Sequence, residues 1–134
     1  MPLEYTWFLD GRIVLMQGSG ILTTEDFAKE EIIMRQFLDQ APKIHILIDD
    51  RQLDRFPPIS VMRSSQWIQD QRVGWFIIFG LRNRLLSVIA STLMRVFGVN
   101  GRIFGTFEES IAFLQKVDET LPNLTTLPQP KLVK

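Results

Sequence analysis

Cysteine is absent from the 134 residues, and histidine and tyrosine each occur once. The first absence excludes disulfide scaffolds, thiol catalysis and zinc–cysteine centres. A surplus of charge is also missing: Lys and Arg number 15 and Asp and Glu number 15, so no global field is available to hold nucleic acid. Long hydrophobic runs are lacking. Residues 73–81 and 85–94 reach about half of the roughly 20 residues that a membrane span needs. Residues 1–8 carry Glu4 and no basic leader before an apolar run, so neither a secretory signal nor a transit peptide is read, and a cytoplasmic location is expected. No Ser sits on a G-x-S-x-G elbow, which leaves acyl transfer without visible machinery. No repeat or low-complexity segment occurs, and no cofactor is implied.

What is present describes one ordinary globular domain, 46% hydrophobic and 22% charged. A chain this long buries roughly two-thirds of its unfolded surface and needs no disulfide or structural metal to hold a core. The overall neutrality conceals segregation: residues 1–50 hold 4 basic and 9 acidic side chains, residues 51–105 hold 8 and 2, and residues 106–134 hold 3 and 4. All the cations of the middle part are Arg: Arg51, Arg55, Arg63, Arg72, Arg82, Arg84, Arg95 and Arg102. Guanidinium forks suit carboxylates, phosphates and interfaces. Either the acidic first part pairs with the basic second part, within or between chains, or the Arg residues serve an anion.

Residues 4–9 and 12–17 alternate around Asp10-Gly11, predicting a hairpin with a tight primed turn. Gly18-Ser19-Gly20 reads as a strand break. Thr23-Thr24-Glu25-Asp26 reads as an N-cap with first-turn carboxylates, opening a helix that runs to Gln40 before Pro42. Residues 43–49 read as a short buried strand, residues 50–56 as a loop, and residues 58–71 as a helix begun by proline. Residues 73–80 are apolar on both faces, as in a central strand covered on each side. A helix over residues 84–97 follows, closed by Gly98, then a strand over 101–104 and a last helix from Phe107 capped by Thr106. The order β-β-α-β-α-β-α-β-α predicts an α/β fold with a mixed, mainly parallel five-stranded sheet and about four helices. The domain is expected over residues 1–120, with an extended, Pro-containing tail over 121–134.

This order, with its hairpin start, a strand ending at Asp49 and the closing unit Arg102-Ile103-Phe104 through Phe113-Leu114, resembles the STAS or SpoIIAA-like superfamily of anti-sigma-factor antagonists. Trp75, Arg84-Leu85-Leu86 and Glu108-Glu109 resemble small STAS-like proteins of bacteria more narrowly. The resemblance spans residues 4–118 and implies a SpoIIAA-like fold, which speaks to architecture more than to activity. In antagonist members, an Asp-Ser-Ser/Thr-Gly turn follows the third strand and carries a hydroxyl that a kinase phosphorylates. Here that place reads Asp49-Asp50-Arg51-Gln52-Leu53-Asp54, so the phosphoacceptor serine is missing. Ser60, Ser64 and Ser65 lie later in the chain.

Candidate chemistry is sparse. Residues 18–23 begin like a dinucleotide loop but lack its third small residue and its context, and read better as a flexible turn. Asp49, Asp50 and Asp54 offer oxygens to a cation, but adjacent carboxylates at a strand end point apart, and Arg51 and Arg55 compete for them. His45 has no catalytic partner in local spacing and reads as structural. A small anion is best placed at Arg82, Asn83 and Arg84, beyond the carboxyl end of the central strand, with Asp49 nearby.

Helix 84–97 carries more apolar surface than one sheet face requires. Leu86, Ile89, Leu93, Met94 and Phe97, extended by Trp67, are therefore candidates for either intramolecular packing or an interface. The expected function is a non-catalytic interaction module. It would form a homodimer or meet a protein partner through that helix, with Arg63, Arg82, Arg84 and Arg95 selecting an acidic counterpart. The alternative is a sensor or carrier of a small anionic or lipid-like molecule.

Overall fold

The computed structural model describes residues 3–56, 58–62 and 65–131. Five strands, β1 (Leu3–Leu9), β2 (Ile13–Ile21), β3 (Ile44–Arg55), β4 (Val73–Phe79) and β5 (Gly101–Phe104), form one sheet in the order β1-β2-β3-β4-β5. β1 runs antiparallel to β2, and the other neighbours are parallel. The helices are α1 (Thr24–Leu38), α2 (Ile59–Met62), α3 (Arg84–Phe97) and α4 (Phe107–Val117). The architecture is α/β with a five-stranded mixed sheet, as the alternation of elements predicts.

Because the sheet grows in one direction from β2 to β5, crossovers of the single hand that parallel strands favour fall on the same face. Met34 and Leu38 of α1, Trp67, and Ala90 and Met94 of α3 accordingly share a core with Val14, Met16, Ile44, Ile46, Phe76 and Ile78. After β5 the chain turns back over the opposite face. There Phe107, Ile111 and Leu114 of α4 cover Ile13, Leu15, Leu47, Ile77 and Phe79. β4 is thus buried on both sides, which accounts for its unbroken apolar sequence.

The capping signals work as the sequence indicates. The Thr23 hydroxyl accepts from the Asp26 N–H, and the Asp26 carboxylate accepts from the Thr23 N–H, a reciprocal box that fixes the start of α1. Gly98 ends α3 in the left-handed region at φ 66°.

Four expectations need correction. The hairpin turn is not primed: only Gly11 takes a positive φ, and a bulge between Trp7 and Leu9 shifts the register. The stretch Gly18-Ser19-Gly20 does not break β2. It pairs with β3 through irregular register, because β3 itself continues to Arg55 where a loop was expected. The helix expected over 58–71 is reduced to α2 and a 3-10 turn at Trp67–Gln69. Glu31 of α1 accepts from the Gln66 and Trp67 N–H groups, a tertiary cap that replaces a helical ladder. Pro57, Arg63 and Ser64 lie outside the described residues. Finally, the segment after α4 is not merely extended: Leu121 and Leu124 join the second core, and a 3-10 turn spans Leu124–Thr126.

His45 sits where β4 bulges against β3, between the pairs Ile44–Val73 and Ile46–Phe76. Its Nδ1 accepts the Trp75 N–H at 3.0 Å, so Nε2 carries the proton and donates to Asp118 at 2.8 Å. The sole histidine is a structural one, satisfied at both nitrogens. A Cβ on Gly74 would stand 2.5 Å from Nδ1 and 2.8 Å from Cε1 of this ring, and the ring cannot swing aside without breaking both bonds. Gly74→Ala is therefore expected to destabilise by about 1–3 kcal/mol in urea unfolding. A midpoint equal to that of the parent would show the ring to be free to move.

Candidate functional site

The side chains of β3 alternate between the two cores, and the alternation separates its two central acids. Asp49 faces the α4 side. It accepts from Arg51 Nη2 at 2.6 Å and from Gln17 at 3.1 Å. The carbonyls of Pro130 and Lys131 accept from the same Arg51 and Gln17, at 3.0 and 2.6 Å. Burial works to raise the Asp49 carboxyl, but the bonds from Arg51 and Gln17 prevail and hold it below its ordinary value.

Asp50 faces the other way, into a cavity of about 100 Å³ between the sheet and the helices α1 and α3. The walls are apolar: Leu3, Met16, Ile48, Leu53, Phe76 and Ile78 from the sheet, with Phe27, Trp67, Ala90, Leu93, Met94 and Phe97 from the covering layer. Glu30 of α1 is the second acid in the lining, and no Lys or Arg lines the cavity among the described residues. Gly18 helps to make the space, since a Cβ there would lie 3.3 Å from Asp50 Oδ1 and 3.6 Å from Leu3.

The two acids differ in their partners. Glu30 Oε2 accepts from the indole N–H of Trp67 at 2.9 Å. Asp50 is 5% exposed, and its carboxyl accepts no hydrogen bond among the described residues. Burial pushes the Asp50 carboxyl up to about 7, and the neighbouring Asp49 charge adds to this. Burial likewise pushes Glu30 up to about 7, against the lowering effect of the Trp67 bond. The Tyr5 hydroxyl is buried without a partner, and its acidity is suppressed by burial first and by the charges of Glu30 and Asp26. An apolar chamber with unspent carboxyl oxygens can hold a small molecule. Among the described residues its only charged groups are the two acids, and none of the lining side chains is a Ser, Thr, Lys or His nucleophile.

The ligand candidates read from sequence are not brought together in one pocket. Asp49 is held by Arg51. Arg82 donates to Asp54 at 2.9 Å and to the Arg51 carbonyl, and Asn83 caps α3 by accepting from the Leu86 N–H. Arg84 is exposed at the start of α3. The acidic first part and the basic middle part thus pair internally at Arg51–Asp49 and Arg72–Asp39, whereas Arg82 pairs with Asp54 of the middle part itself. Among the described residues no group of three or more His, Asp or Glu is arranged to hold a metal ion.

The interface candidates divide. Trp67, Leu86 and Met94 are buried within the chain, which matches the intramolecular-packing alternative read for them. Leu93 and Phe97 are half-buried and line the cavity, and Ile89 is half-buried. The outward apolar stripe is instead Leu85 at 69%, Val88 at 55% and Val96 at 48% exposed. Glu30 and Asp50 escaped the sequence reading as a pair. Glu30 lies among first-half acids with no distinguishing mark, and Asp50 falls in the stretch whose sequence predicts a loop. The signal for Asp50 was the period-2 alternation, which continues past Asp49 and puts it on the face of Ile44, Ile46 and Ile48.

Neither a family model nor a curated protein matches the sequence. Among solved structures, the anti-sigma factor antagonist SpoIIAA in its unphosphorylated form superposes with a TM-score of 0.55 at 10% identity, covering 90% of this chain and 99% of that one. The fold is SpoIIAA-like. No helix among the described residues is long and apolar enough to cross a membrane.

Proposed function

We propose that the protein is a non-catalytic regulatory module of STAS type that senses a small, largely apolar molecule held beneath α3. The observation that carries this reading is the unpartnered Asp50 carboxyl in an otherwise apolar chamber. A buried acid without a partner costs stability, and a ligand that supplies the missing contact recovers that cost. The same helix forms one wall of the chamber through Leu93 and Phe97 and presents Leu85, Val88 and Val96 outward, so occupancy and the outer face are mechanically linked. The SpoIIAA-like fold supports a regulatory role in the cytoplasm, without the phosphorylated serine of the antagonists.

The test is a titration with n-butanol, followed by amide NMR shifts. Saturable shifts are expected at residues around the cavity, and they should vanish in Gly18→Val, whose branched side chain intrudes beside Asp50 and Leu3. Shifts confined to the surface, or unaffected by that substitution, would remove the sensor reading.

The exposed stripe on α3 favours a second reading, a surface for a second copy of this chain. Sedimentation at micromolar concentration is expected to show a dimer that Val88→Glu converts to monomer. A parent protein that is already monomeric would exclude self-association.

A further inference from the structure

We infer that the molecule held in the cavity is a small aliphatic amine, whose ammonium group lies against Asp50 and Glu30 and whose hydrocarbon body lies against Met16, Leu53 and Phe76. This inference rests on the cavity being a binding site, and names the chemistry that site selects. Asp50 is aimed into the chamber with neither oxygen hydrogen-bonded among the described residues, and among them Glu30 spends only Oε2, on Trp67. An ammonium brings three donors and a positive charge, answering several unspent acceptor positions at once.

The alternatives fit less well. An anion would enter a chamber lined by two acids and, among the described residues, no base. A hydrocarbon or an alcohol would leave most of the acceptor oxygens unpaired, which is costly in an apolar site. Burial and the neighbouring acids already hold both carboxyls near neutrality in their titration, so an arriving cation finds groups able to ionise in its presence. The size selects further: about 100 Å³ is smaller than the roughly 150 Å³ that accommodates benzene in a dry protein cavity. A short alkyl chain fits that limit.

Matched probes decide the matter: n-butylammonium chloride, n-butanol and sodium butyrate at pH 7.5 and equal ionic strength, with binding followed by calorimetry and amide NMR. The amine is expected to bind at least tenfold more tightly than the alcohol, and butyrate not at all. Asp50→Asn should bring the amine down to the affinity of the alcohol while leaving alcohol binding intact. Glu30→Gln, which keeps an acceptor for Trp67, should reduce the preference several-fold. If alcohol and amine bind equally to the parent protein, or butyrate binds best, the amine inference fails while the cavity remains a site. If none of the three reaches the cavity, the sensor reading fails as well. An amine preference that survives Asp50→Asn and Glu30→Gln together would place the cation elsewhere and overturn the inference.

Discussion

Asp50→Asn is expected to stabilise the protein by about 2–4 kcal/mol at pH 8 and to change little at pH 4. In the unfolded chain the carboxyls of Asp50 and Glu30 titrate near their ordinary values, whereas in the folded protein both are pushed up to about 7. Between these limits the folded state retains protons that the unfolded state has released. Stability therefore falls as pH rises, by at most about 1.4 kcal/mol per pH unit for each group, and levels off above about 7.

The opposite limb belongs to the acids held low. Asp70 is brought down to about 2, chiefly by Arg72, and Asp118 is lowered by its bonds from Thr120 and His45. Their contribution is present above the ordinary carboxyl range and is lost as pH falls through their folded values. The two limbs together place the stability maximum near pH 4–5, on the acid side of neutrality. Urea unfolding at pH 4, 6 and 8 reads the curve directly. A parent profile flat from pH 4 to 8, with Asp50→Asn superimposed on it, would contradict the burial of an unpartnered acid.

Trp67 carries the second large effect. Its indole is 1% exposed and stacks obliquely on Phe76 at 6.0 Å. Trp67→Ala is expected to cost about 3–5 kcal/mol, the range for emptying an aromatic site in a core. Trp67→Phe keeps a ring but removes the donor to Glu30, and is expected to cost about 1–3 kcal/mol. That smaller cost has a signature in pH. The Trp67 bond opposes the burial of Glu30, so without it the Glu30 carboxyl is displaced further upward, and the penalty for ionising it grows. The loss should be greater at pH 8 than at pH 5. A cost independent of pH would mean that the indole N–H contributes packing alone. If Trp67 were an interface residue, its replacement would lower self-association and leave unfolding of the isolated chain unchanged.

The order of elements was legible because each boundary carried local chemistry. Thr23 and Thr106 as caps, Gly98 as a left-handed stop and the unbroken apolar run of β4 all acted over a few residues, and folding preserved them. Features settled by contacts distant in sequence were not legible. The segment around Trp67 has helical periodicity, but Glu31, more than thirty residues earlier, caps its backbone and draws the indole inward. α3 carries a polar stripe of Arg84, Ser87, Ser91 and Arg95, but its apolar arc is wider than the face it buries, so the sequence did not tell the inner residues, Leu86, Ala90 and Met94, from the outer ones, Leu85, Val88 and Val96. The prolines of the final segment suggested an open tail, while Leu121 and Leu124 were already sufficient to anchor it. Asp49 and Asp50 were expected to point apart, and they do. What their divergence created, one acid neutralised by Arg51 and the other facing an apolar chamber, depended on α1 and α3 packing over that face of the sheet.

The one-way growth of the sheet has a bearing on synthesis. As the nascent chain leaves the ribosome, strands β1 to β5 and the three crossovers emerge first and can complete a two-layered half in chain order. The reverse side, with Ile13, Leu15, Leu47, Ile77 and Phe79, stays bare until α4 and the leucines at 121 and 124 arrive. A chain that folds in sequence order thus holds this greasy plane open between the completion of β5 and the docking of residues 107–124, which act as its lid.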